Sequence, residues 1–149
     1  MTKKTTTKKN NPFTKLDKLI RQNQNVDFRT ANFLNAKTVE ALNWKGIKTE
    51  DQDQVLQQVK AYQRLVRLLA EDNPKIIMEL LKRNLHSAVQ IAAIPKSRFM
   101  KEFREVFKDE ALMEQVYARA LAIRSQVLLK YMNIVQNKQL HTKTLKAVS

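Results

Sequence analysis

The chain has no cysteine, a single glycine (Gly46) and three prolines among its 149 residues. Without cysteine there can be no disulfide, no thiolate nucleophile and no cysteine-ligated zinc, and the redox compartment is left open. One glycine does not make a phosphate-cradling loop. Together with the scarcity of β-branched runs, it also leaves a sheet protein without the turns it needs at intervals of roughly 8–12 residues. The expected fold class is therefore all-α. No apolar run approaches the roughly 18 residues of a membrane-spanning helix, and the lysines near Met1 are not followed by an apolar segment, so neither a membrane span nor a secretory signal peptide is expected.

What the chain has in excess is positive charge, +14 at neutral pH, and it is unevenly placed. Residues 1–25 carry seven Lys or Arg against Asp17, a net +6, and residues 137–149 carry three lysines and no acid. The remaining 111 residues account for only +5. This is the pattern of a mixed-charge body with basic arms. Residues 1–11 have no apolar side chain after Met1 and are expected to be a disordered basic tail. Residues 12–136 are expected to form one α-helical domain, and 137–149 a frayed basic tail.

Within the domain, helix starts and stops can be placed on particular residues. Pro12 to Gln22 has Phe13, Leu16, Leu19 and Ile20 at helical spacing. Asp27 to Asn43 suggests one or two short helical turns, with Trp44 as a core or rim anchor and Gly46 as a flexible connection. Thr49-Glu50-Asp51-Gln52 has the capping-box form, and behind it Val55, Val59, Tyr62, Val66 and Leu69 make a buried seam. Asn73-Pro74 reads as a cap followed by proline at the first helical position. Asn84 suits a left-handed helix stop, Ser87 to Gln90 repeats the capping box, and Pro95 opens a further helix. Asp109 caps the last and longest helix, expected to end near Gln136. Its stripes Val116, Ala120, Ile123, Val127, Ile134 and Tyr117, Leu121, Leu128, Tyr131, Val135 lie side by side, so a central, widely buried helix is expected.

Catalytic chemistry is not apparent. His86 and His141 lack further ligands at metal spacing. The carboxylates of Glu102 and Glu105, or Asp51 and Asp53, sit among cations as on solvated helix faces. No catalytic residue, metal or cofactor is assigned, and the chain is read as a non-enzyme.

A resemblance is carried by Gln63-Arg64-Leu65 with Arg67-Leu68, then Leu80-Leu81, Leu85, Ser87-Ala88, Ile91-Ala92, Ile94, Phe99 and Phe103, and Val116-Tyr117-Ala118-Arg119-Ala120. In order and spacing these resemble the N-terminal α-helical unit of the A subunits of insecticidal Tc toxin complexes, the virulence plasmid A proteins. Asn84 stands where that family often has glycine. The resemblance implies a helical fold and an association with toxin delivery. Pore formation and receptor binding belong to parts of the large A subunit without counterpart in these 149 residues, and do not carry over.

The resulting expectation is a non-enzymatic helical protein that works through protein-protein contacts, as a toxin component or as cargo or adaptor of a toxin-delivery or contractile injection system. Localisation follows as bacterial cytoplasm without a Sec signal, with export by a specialised machine. The alternative is a basic nucleic-acid-binding protein, whose affinity would fall steeply with salt. Candidate partner-binding residues under either view are Lys3, Lys4, Lys8 and Lys9 in the leader and Lys60, Arg64 and Arg67 on the helix after Thr49.

Overall fold

A computed structural model describes residues 11–69 and 73–148. These form eight helices and no strand: α1 (Thr14–Gln22), α2 (Ala36–Glu40), α3 (Thr49–Val66), α4 (Pro74–Lys82), α5 (Ala88–Ala92), α6 (Lys96–Glu102), α7 (Arg104–Phe107) and α8 (Glu110–Val148). The chain is all-α among the described residues. Residues 1–10 of the leader expected to be disordered lie outside them, whereas Asn11 is described and accepts from the Phe13 amide at 2.9 Å.

Most helix ends follow the side-chain chemistry expected of them. The Asn73 side chain accepts from the Ile76 amide at 3.3 Å, with Pro74 at the first helical position, and Asp109 accepts from the Leu112 amide at 3.1 Å. Asn84 takes the left-handed conformation, φ 64°, where α4 stops. Ser87 accepts from the Gln90 amide, but the Gln90 side chain reaches past Ser87 to accept from the His86 amide, so the box closes one residue early. The box expected at Thr49 does not form. Lys48 is the N-cap, without a side-chain bond, and Thr49 is already helical. Asp51 instead holds Lys15 of α1 at 2.8 Å, a contact that ties the two helices.

The core is built around α3. Its expected seam of Val55, Val59, Tyr62, Val66 and Leu69 is buried, and Ala61, Gln63, Leu65 and Leu68 are buried with it. The last two turns and the exit of α3 are therefore enclosed on most sides. Against this axis α1 brings Leu16 and Leu19, and α4 brings Ile76, Ile77, Leu80 and Leu81. A second layer is aromatic. Phe99 is fully buried, with Phe103, Phe107 and Tyr117 at ring-centre separations of 5.2, 5.8 and 5.4 Å. This cluster binds α6 and α7 to the start of α8. The small residues Ala88 and Ala92 of α5 let it lie close to α8, whose Met113, Val116 and Ala120 are buried there.

The two buried polar residues, Asn23 and Gln63, are hydrogen-bonded, whereas Oε1 of half-buried Gln58 is enclosed without a partner among the described residues. The Gln63 side-chain amide donates to the carbonyls of Phe28 at 2.8 Å and Ala31 at 2.6 Å, fixing the loop after α1 onto α3. Asn23 donates to the carbonyls of Leu19 and Asn43 and accepts from the Asn43 amide at 2.8 Å, closing α1 against the segment that follows α2. Half-buried Trp44 donates its indole N–H to the Val39 carbonyl at 2.8 Å, as a rim anchor would. Gly46 sits at φ 82°, where a side chain is strained irrespective of space.

The left-handed stop at Asn84 makes a measurable difference. A residue without a short polar side chain costs roughly 1–2 kcal/mol in this conformation. Urea unfolding of Asn84→Ala is expected to show a loss of about 1 kcal/mol, while Asn84→Gly stays at or above the parent stability.

Candidate interaction surface

The residues singled out for partner binding are dispersed. Lys3, Lys4, Lys8 and Lys9 lie outside the described residues. Lys60, Arg64 and Arg67 share one face of α3, four and three residues apart. Two of these three serve the fold: Arg64 Nε donates to the His86 carbonyl at 3.3 Å and Arg67 Nε to the Arg29 carbonyl at 3.0 Å. Both side chains run along the surface and end on backbone.

Other arginines behave in the same way. Arg29 Nη2 donates to the carbonyl of Leu69 at 2.9 Å and Arg119 Nη1 to that of Leu68 at 3.1 Å. These carbonyls lie at the exit of α3, where backbone acceptors have no intrahelical donor and the helix dipole favours cations. Arg83 donates to the Glu102 carbonyl and stands over the Phe103 ring, 5.3 Å from its centre.

Among the described residues no group of three or more His, Cys, Asp or Glu side chains could hold a metal ion. No helix among them is long and apolar enough to cross a membrane. A cleft of about 790 Å³ opens between α1, α3 and α4 over Ile20, Phe28, Val66 and Met78. On its rim Asp17 pairs with Arg21 at 3.0 Å and Glu79 with Lys82 at 3.5 Å. These four charges are neutralised in pairs, and Lys75 also lines the cleft.

The surface that the fold leaves unfinished is on α8. This helix does not end at Gln136 but continues to Val148, 39 residues in all, about 58 Å at 1.5 Å per residue. Only its first three turns are packed. Met113, Val116, Tyr117 and Ala120 are buried, whereas no residue from Leu121 to Gln139 is. The wide apolar sector is present as expected, but the expectation that the helix buries it along its length is corrected. Ile123 and Val135 are half-buried; Val127, Leu128, Tyr131, Met132 and Ile134 are exposed, Tyr131 by 66% and Ile134 by 55%. The physical reason is length, because α5, α6 and α7 together are too short to follow α8 beyond Ile123.

At about 100° per residue, Ile123, Val127, Ile134, Tyr131, Val135, Leu128 and Met132 span roughly half of the helix circumference, with Arg124 in their midst. This sector is centred on the side that Met113, Val116 and Ala120 press against the body. The opposite half carries Ser125, Gln126, Lys130, Asn133, Gln136 and Asn137, with Leu129 as an isolated exposed apolar residue among them. From Gln115 onward the chain has no acidic residue and six Lys or Arg. The surface is thus an apolar half-cylinder on a stretch of chain that carries basic residues and no acidic one.

Comparison of the chain with protein-family models, with curated proteins and with solved structures returns no match. The terms taken from the Tc toxin resemblance, including virulence and secretion-system cargo, are corrected on that finding. The motifs that carried the resemblance have local explanations. Gln63 fastens a loop, Ser87 caps α5, and Tyr117 donates its hydroxyl to the Ile94 carbonyl.

If the distal sector contributes nothing to the body, the double substitution Val127→Ser with Ile134→Asn should leave stability within about 0.5 kcal/mol of the parent. Met113→Ala, at a fully buried site on the same helix face, should cost about 2–5 kcal/mol. Chemical unfolding of the two variants checks the contrast.

Proposed function

We propose that the protein is a non-enzymatic helical adaptor that docks another protein onto the distal, apolar half of α8. The observation that carries this reading is the uncovered half-cylinder of Val127, Leu128, Tyr131, Met132 and Ile134, a continuous apolar face. Single exposed apolar side chains are ordinary on a protein surface, whereas a contiguous patch marks an interaction site. Its aromatic and methionine content matches the composition of interface cores. The start of α8 is held at a defined position by α5, α6 and α7, by the Tyr117 hydroxyl on the Ile94 carbonyl and by Arg119 on the Leu68 carbonyl, which supports the same assignment.

Nucleic-acid binding draws on the net charge of +14. Against it, Arg64, Arg67, Arg83 and Arg119 are bound to backbone carbonyls of the chain itself. The exposed face of α8 is moreover lined by aliphatic side chains, with Tyr131 as its one aromatic ring, where single-strand binders line a groove with stacking aromatics.

A photo-crosslinking amino acid placed at Leu128 or Tyr131 in native cells tests the reading. Protein adducts are expected from these two positions and not from Gln126 or Asn133 on the polar side. Equal labelling from both sides, or adducts removed by nuclease, would overturn it.

A further inference from the structure

The charge on α8 narrows the identity of the occupant, an inference that rests on the docking reading above. Tyr117, Ala120, Arg124, Val127, Tyr131 and Ile134 recur at alternating steps of three and four residues. That is the heptad seam along which one helix pairs with another. The body covers the first two members, and the seam is open from Arg124 onward.

Arg124 is the unusual member. It stands in the seam, with Ala120 one turn before it and Val127 and Leu128 one turn after, is exposed, and makes no hydrogen bond or ion pair among the described residues. Any helix that covers Val127 and Tyr131 also desolvates the Arg124 guanidinium, and a buried charge without a counter-charge is strongly unfavourable. The chain does not supply that counter-charge from α8. The nearest acid on the helix is Glu114, ten residues away, about 15 Å, and it pairs with Lys96 at 2.7 Å. The carboxylate has to arrive with the occupant.

Two other occupants fit less well. The same face of a second copy brings a second Arg124 and no acid, so like charges meet along the seam. Helices that lie on anionic lipid carry their Lys and Arg on the polar face. Here Arg124 stands in the middle of the apolar sector, and Lys130 is the one cation between Leu121 and Asn137 on the polar side with Ser125, Gln126, Asn133, Gln136 and Asn137.

We infer that the occupant is an amphipathic helix of a different protein, with an apolar heptad seam and a carboxylate positioned opposite Arg124. Arg124 then fixes the register of pairing, and the apolar residues on either side supply the contact.

The test is selection from a displayed library of helices about four heptads long, with apolar seam residues and a random choice of Glu, Gln or Lys at each flanking position. Selection is run against the intact chain, Arg124→Glu and Arg124→Gln. The intact chain is expected to enrich Glu at one flanking position, Arg124→Glu to enrich Lys there, and Arg124→Gln to show no charge preference. Winning peptides should lose about tenfold in affinity on charge reversal, equivalent to about 1.4 kcal/mol. Enrichment of apolar seams with no charge bias would overturn the inference and leave docking on α8 standing. No enrichment over an all-polar library would overturn both. Sedimentation of the intact chain alone and with anionic vesicles completes the test: self-association or vesicle binding that blocks the selected peptides would assign the face to a second copy or to lipid, and overturn the inference.

Discussion

Eight helices mean many helix ends, and one glycine is available to close them. That constraint shapes the molecule more than any single contact. Where a glycine-rich chain would let the backbone fold back on itself, this one closes its junctions with side chains. Asn23, Asn73, Ser87 and Asp109 bond nearby backbone at helix ends. Gln63, Arg29 and Arg119 reach across the core to carbonyls far away in sequence. The long-range bonds of Gln63, Arg29 and Arg119 each join two segments, so satisfying a carbonyl and fastening the tertiary structure are there the same event. The cost of leaving any of these carbonyls buried and unmade is what makes the arrangement stiff.

The same constraint gives a structural task to several of the arginines in the body of the chain. A net charge of +14 suggests a polyanion partner when read from composition alone. In the folded chain, several arginines are internal fasteners whose guanidinium groups end on backbone acceptors, where the charge also complements a helix C-terminus. Composition counts these groups and cannot separate them from the cations of α8 that find no acid on their own helix.

How far the sequence disclosed this structure can be argued element by element. Asn73-Pro74, Asn84 and Asp109 were legible because cap chemistry is local: the side chain and the backbone group it serves lie within a few residues. Thr49 misled because the capping-box pattern is permissive, and the helix begins one residue earlier than the pattern implies, with Lys48 as its N-cap. Gln63 and Asn23 could be noticed only as polar residues amid apolar ones, since their acceptors are distant in sequence. For α8 the heptad spacing revealed which side is apolar. It could not reveal whether anything covers that side, because coverage depends on the lengths of α5, α6 and α7. Basic residues were legible as candidates for binding, yet Arg64 and Arg67 proved to hold loops, and Arg124, whose significance lies in its position on the seam, had no local signal.

The junction near Ile123, where α8 leaves the body, bears on how the exposed segment stays ordered. In an isolated peptide the first helical turn is the unfavourable step, and each later residue adds to an existing end. Here the first three turns are held by Phe99, Tyr117 and α5, so the body acts as a permanent nucleus from which the distal turns grow. Such a segment needs only propagation to remain helical, and an arriving partner meets a surface whose conformational search has already been done. Rigidity in the small aromatic layer therefore governs readiness at the far end, without any contact between the two.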